Sequence, residues 1–192
     1  MASFDIVALA ASAGGLNALT HVLQALPPDF AAGIVVVQHL DPRHRSLMAD
    51  ILGRRTALKV KQAEEGDRVA AGIVMIAPPN KHLLVKQDRS LTLTQTELVH
   101  FVRPSADLLF ESTAAAFRER AIAVVLSGSG SDGAMGVKAI KKMGGTVIAQ
   151  DKESSEFGGM PEAAKHTGVV DFVLPLQDIA PALQTLVNSS AS

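Results

Sequence analysis

The 192-residue sequence contains no cysteine, tryptophan or tyrosine, and its charges nearly cancel, leaving a formal net charge of -1. Without cysteine there are no disulfides, no thiolate metal ligands and no cysteine nucleophile. The near-zero charge gives no basic field for a phosphate backbone, and Trp and Tyr are missing as base-stacking platforms, so nucleic-acid binding is not expected. No stretch approaches the roughly 18–20 consecutive apolar residues of a membrane helix. Asp5 precedes the first apolar run, where a secretory signal would carry positive charge, so the opening MASFDIVALAASAGG reads as a strand and its turn. A soluble cytoplasmic protein with no membrane insertion is expected.

Hydrophobic residues make up 47% of the chain and charged residues 19%, the balance of an ordinary globular protein. The length suits one well-buried core and is short for two. We expect a single domain over residues 1–192, with a core from about 4 to 187 and Ser189–Ser192 as a frayed tail.

Short β-branched runs alternate with segments of helical period. DIVALA, helix Leu16–Leu26, GIVVVQH and a helix around Leu47–Leu52 form a βαβα opening. A helix over Asp107–Arg118, strand AIAVVLS, helix Ala134–Met143 and strand GTVIAQ resume the pattern, and VVDFVLP with a helix over Asp178–Val187 closes it. Strands separated by helices run parallel with right-handed crossovers. Between the halves, IVMIAPP, HLLVKQ and LTLTQ are divided by turns too short for a helix, which predicts an antiparallel hairpin. The expected fold is a doubly wound, mostly parallel α/β sheet with helices on both faces and a small antiparallel hairpin.

In such sheets ligands bind beyond the carboxyl ends of the strands. Ser12 follows the first strand in Ala10-Ala11-Ser12-Ala13-Gly14-Gly15, a loose form of the nucleophile elbow in which small neighbours permit a sharp turn. The Ala13 N–H is the candidate oxyanion donor there, although a serine at this place can also serve merely as a helix cap. His39 ends the most hydrophobic strand, where it is either a general base or a histidine bonded to a nearby carbonyl. Asp132 lies in Ser127-Gly128-Ser129-Gly130-Ser131-Asp132-Gly133, a turn that could orient an imidazole, with the Ser129 N–H as a second oxyanion donor. Arg43, Arg45 and Arg103 fall in loops near this rim, as substrate-attracting charges or as plain solvated ones. His39, Asp41 and His44 have no second cluster to complete a metal site, so neither a metal nor a cofactor is expected.

Gly128 to Gly133 also fits G-x-G-x-x-G between a strand and a helix, with Asp151 downstream, the spacing of a dinucleotide-binding fingerprint. Against that, Asp132 would place negative charge where a pyrophosphate must sit, and Ser12 and His39 would have no task. A third reading is a catalytically silent receptor-binding module that keeps the fold.

With ASAGG, VVVQHL, IAPPNKHL, RPSADLLF, LSGSGSDGAMG and FGGMPEAA in this order, the chain resembles the catalytic domain of chemotaxis protein-glutamate methylesterases, the CheB type, over nearly its whole length. The resemblance places that family's serine, histidine and aspartate on Ser12, His39 and Asp132. It implies hydrolysis of glutamate methyl esters on the cytoplasmic helices of methyl-accepting chemoreceptors, releasing methanol, and deamidation of receptor glutamines. It also implies a receiver or methyltransferase module as partner, and no receiver domain is expected within this chain. Ala13 stands where the family often has Thr, and Ser129 where it often has Met.

Overall fold

In the computed structural model, which describes residues 4–41 and 43–189, the apolar runs become parallel strands. β1 (Ile6–Ala11) lies at the centre, flanked by β2 (Gly33–Gln38) and β7 (Ala121–Val125). Beyond β2 come β4 (Ile73–Ile76) and β3 (Lys59–Gln62), and beyond β7 come β8 (Thr146–Gln150) and β9 (Phe172–Leu174). The order is β3-β4-β2-β1-β7-β8-β9, with every pair parallel.

The period of two along each strand sorts the core into two layers. Val7, Leu9 and Ala11 pack towards α1 (Gly15–Gln24), α2 (Met48–Gly53) and α6 (Leu176–Asn188). Ile6, Ala8 and Ala10 pack towards α3 (Ala106–Phe117), α4 (Ala134–Lys142) and α5 (Gly159–His166). All six β1 residues are buried, which is why this strand reads as a continuous apolar run rather than an alternation. On the second face Ala8, Ala10, Ala121 and Ala123 are small enough to leave room for the fully buried Phe110 of α3. Burying each large side chain of this kind contributes about 1.5–3 kcal/mol.

The structure departs from the sequence reading in the middle of the chain. IVMI, grouped above with the hairpin region, is β4 and pairs with β2 through Ile34↔Val74, Val35↔Met75 and Val36↔Ile76. The antiparallel hairpin consists of β5 (His82–Val85) and β6 (Leu91–Thr94) alone. β3, KVKQ, was not expected as a strand because its lysines give it little apolar signal. It lies at a sheet edge with exposed ends, where charged side chains discourage pairing with another chain. No described helix is long and apolar enough to cross a membrane.

The chain passes from β1 to β2 on one flank and later returns to β7 on the other, so the direction of winding switches at β1. Ligand sites of open parallel sheets lie at such a switch, beyond the carboxyl ends of the strands.

Candidate functional site

The central ladder runs one residue past the strand ends. The Ser12 N–H donates to the Ser127 carbonyl at 3.0 Å, and the His39 N–H to the Ala11 carbonyl at 3.1 Å. Ser12 and His39 are therefore fixed side by side on the rim, just beyond β1 and β2. Gly14, with φ 74°, turns the chain into α1 and holds the helix N-cap without any side-chain cap bond. That removes the helix-cap reading of Ser12, whose hydroxyl makes no hydrogen bond among the described residues. Gly128 presses on the serine from the other flank. A Cβ there would stand 2.9 Å from Ser12 Cβ and 2.4 Å from Met160 Sδ, so the turn after β7 needs glycine to approach this closely.

His39 Nε2 bonds Asp132 Oδ2 at 2.7 Å, with the two side chains 16% and 5% exposed. With Nε2 carrying the proton towards the carboxylate, Nδ1 keeps its lone pair, and it has no hydrogen-bond partner among the described residues. The reading of His39 as a histidine bonded to a carbonyl is thereby corrected, because its partner is a carboxylate.

Asp132 does not hang from a free loop. Its Oδ2 also accepts the Ala106 N–H at 2.7 Å, and its Oδ1 accepts the Asp107 N–H at 3.1 Å and the Ser105 hydroxyl at 3.2 Å. These donors form the start of α3, where unpaired N–H groups and the helix dipole favour an anion. Asp107 reciprocates, its Oδ1 accepting Gly133 N–H at 3.0 Å and Gly136 N–H at 2.7 Å at the start of α4. Burial pushes the Asp132 carboxyl up, but the bonds from His39 and Ala106, the His39 charge and the Asp107 N–H outweigh it and leave it below the ordinary carboxylate value. Asp107 moves the other way: burial raises it, the Gly136 and Gly133 N–H groups oppose, and the Asp132 charge adds to the rise.

The N–H groups of Ala13 and Ser129 make no hydrogen bonds among the described residues, and Ser129 is exposed. An open cavity of about 420 Å³ includes Ser12, Gly14, Gly15, Gln38 and Glu156 in its wall. A second, of about 200 Å³, is lined by His39, Leu40, Asn80, Phe101 and Arg103 among others. Arg103 spends its donors locally, on Asn80 Oδ1 at 2.7 and 3.0 Å and on the Thr96 carbonyl at 2.8 Å. It therefore stands as a braced wall beside His39. Arg43 is 82% exposed and forms a two-pronged pair with Asp41, and lines neither cavity. Arg45 is exposed in a separate depression beside Leu47 and Met48. His44 also lies 3.3 Å from Asp41, and among the described residues no group of three or more His, Asp or Glu is placed to hold a metal.

The turn expected to compete as a dinucleotide cradle is closed from within. Gly128 donates its N–H to the Phe157 carbonyl at 2.9 Å, and Asp132 is turned to α3. Three contributors escaped the sequence reading: Gln38, whose amide lies under the Ser12 and His39 carbonyls, Ser127, and the helix start at Ser105–Asp107. A polar Gln at the end of an otherwise apolar strand was the available signal for the first.

An open α/β sheet that gathers a serine, a histidine and an aspartate at its carboxyl rim defines a class, the domains with the residue set used for acyl-group hydrolysis. Within that class the chain belongs to the CheB methylesterase family, whose model matches residues 7–183. A solved structure, the Thermotoga maritima CheB methylesterase catalytic domain, superposes with a TM-score of 0.92 at 39% identity, covering 96% of this chain and 100% of that one. A Bordetella avium protein-glutamate methylesterase/protein-glutamine glutaminase is 43% identical over 196 residues, covering 100% of this chain but 57% of its own length. The Moorella thermoacetica protein of that name is 40% identical, with 97% and 45% covered. A Leptospira interrogans relative, provisionally given the same name, is 39% identical over 93% of this chain and 92% of its own. The chain thus spans nearly all of one relative and about half of the others.

Proposed function

We propose that this domain is a serine esterase acting on glutamate methyl esters of chemoreceptor cytoplasmic helices, releasing methanol, and that it deamidates receptor glutamines through the same acyl-enzyme. The observation that carries the reading is the 2.7 Å bond between His39 Nε2 and Asp132 beside a serine on the adjoining strand end whose hydroxyl has no hydrogen-bond partner among the described residues. The family membership and the names of the relatives support the substrate class.

Ser12 Oγ attacks the ester carbonyl carbon as His39 Nδ1 takes its proton. Charge develops on the carbonyl oxygen, to be received by the Ala13 and Ser129 N–H groups, which have no acceptor among the described residues. As the tetrahedral intermediate collapses, the carbon–methoxy bond breaks and His39 returns the proton to form methanol. Water then attacks the acyl-enzyme with His39 again as base, freeing the glutamate and Ser12. Asp132 holds the imidazole in the tautomer that leaves Nδ1 basic and stabilises its protonated form. Arg103 shapes the cleft beside His39, and Arg43 offers positive charge to an acidic receptor helix once drawn from Asp41. The domain acts in the cytoplasm, where those helices lie, with a receiver or methyltransferase module as its regulatory partner.

The test is methanol release from methyl-labelled receptor membranes by wild type and Ser12→Ala, with circular dichroism on both. Release by wild type alone is expected. A folded wild type that releases none would leave the silent receptor-binding module as the better account.

A further inference from the structure

Gln38 and Ser127 each grip one of the two carbonyls that follow the Ser12 side chain. We propose that they are positioning residues: Gln38 aims the Ala13 N–H at the reacting oxygen, and Ser127 aims the Gly14 N–H there as a third donor beside those of Ala13 and Ser129, an inference that rests on the esterase reading above. In a planar trans peptide the carbonyl and the next residue's N–H point in opposite directions, so holding one fixes the other. Gln38 Nε2 donates to the Ser12 carbonyl at 2.8 Å, and the Gly15 N–H reaches the same oxygen at 2.8 Å. The Ala13 N–H is thereby turned the opposite way. Ser127 Oγ donates to the Ala13 carbonyl at 2.8 Å, which does the same for the Gly14 N–H. Neither N–H has an acceptor among the described residues.

Both grips are themselves anchored. The second proton of the Gln38 amide goes to the His39 carbonyl at 3.0 Å, so one side chain ties the backbone of the serine to that of the histidine. Ser127 donates its own N–H to Gln150 Oε1 at 2.9 Å, and its hydroxyl accepts the Phe157 N–H at 3.0 Å; of the two carbonyls within reach of its single proton, Ala13 at 2.8 Å is nearer than Phe157 at 3.3 Å. Gln38 is 5% exposed, and its Oε1 is buried with no partner among the described residues. An unpaired buried acceptor is unfavourable, and an apolar side chain of similar length would fill the same space without it. The two donated bonds are what the amide adds, and both end on the backbone of the reacting residues.

Donors held in advance need no reorganisation as charge develops, and removing one typically costs about 100- to 1000-fold in turnover. Misaiming one is expected to cost less, about 10- to 100-fold in kcat, with KM within about twofold, because the uncharged ester uses these groups less than the oxyanion does. Gln38→Met keeps length and volume but cannot donate, and Ser127→Ala removes one hydroxyl. Each full-length variant is compared with wild type for thermal unfolding, for kcat and KM of methanol release, and for the rate of labelling by a fluorophosphonate, whose phosphoryl oxygen needs the same N–H groups. The expected result for a folded variant is a lower kcat at unchanged KM and a parallel slowing of labelling. A folded Gln38→Met with wild-type kcat, or with a loss confined to KM, overturns the proposal. If Gln38→Met does not fold, Ser127→Ala decides by the same criteria, and failure of both to fold would assign these residues to the fold alone. A wild type that labels but releases no methanol sinks the substrate and leaves the labelling rates to judge Gln38.

Discussion

Replacing Asp132 by Asn should separate two jobs that one carboxylate performs. The carboxylate has four partners: His39 Nε2 and Ala106 N–H on Oδ2, Asp107 N–H and the Ser105 hydroxyl on Oδ1. An asparagine offers one acceptor oxygen and one NH2, and every backbone partner here is a donor. If its oxygen faces His39 and Ala106, the Asp107 N–H loses its acceptor; if it faces Asp107, the Ala106 N–H does, and His39 is pushed into the wrong tautomer. One buried donor is orphaned either way, at about 1–3 kcal/mol of folding stability. The neutral amide also cannot stabilise the imidazolium, for which about 1000- to 10,000-fold of kcat is expected, or about 4–5.5 kcal/mol at 1.36 kcal/mol per decade. Because the fold lowers the Asp132 pKa, its carboxylate contributes stability above the unfolded value of about 4 and loses it as pH falls through the folded value. The stability gap between wild type and Asp132→Asn should therefore narrow on acidification. The assays are methanol release at saturating substrate and urea unfolding from neutral to acid pH. Turnover within tenfold of wild type in the folded variant would refute the assignment of Asp132.

Two further outcomes can be set beside it. Asp107→Asn should be at least as stable as wild type in urea at pH 7, since Oδ1 alone accepts both N–H groups and a buried charge is removed; a loss above about 1 kcal/mol contradicts this. Its folded pKa is raised, so the wild-type carboxyl costs stability as pH rises through the unfolded and then the folded value, and the variant's advantage should vanish in acid. Gly15→Ala should lower the melting temperature and kcat together, although Ala is the better helix former by about 1 kcal/mol. Its Cβ would lie 1.9 Å from Gln38 Oε1 and 2.9 Å from Ala11 Cβ, and overpacking of this sort costs about 1–3 kcal/mol. A more stable, fully active Gly15→Ala would mean that Gln38 is free to move.

The parts of the fold written by burial on both faces were the parts legible in the sequence. β1, β2, β7 and β8 are apolar along their length because helices cover both sides, and turn glycines mark their ends. Edge strands obey weaker rules: β3 carries two lysines, and β4 looks like a hairpin strand because Pro78, Pro79 and Asn80 follow it closely. Ser12 and His39 could be found because a polar residue closing an apolar run stands out against the pattern. Asp132 was placed by its turn, but its attachment to α3 could not be read, since Ser105, Ala106 and Asp107 precede it by some 25 residues and meet it only through packing. Gln38 was hidden for the opposite reason, being one position from the residue that drew attention.

The crossed acids, Asp132 at the start of α3 and Asp107 at the start of α4, make the three rim residues unequal in what they can survive. Ser12 and His39 carry no helix on their side chains, so under the proposed mechanism exchanging either should leave an intact but inert domain. Asp132 is a structural joint as well as a charge, and its loss disturbs the packing of two helices. A descendant of this domain that abandoned chemistry for binding would shed the serine or the histidine first and keep the aspartate, so a retained Asp132 says little about activity and a retained Ser12 says much.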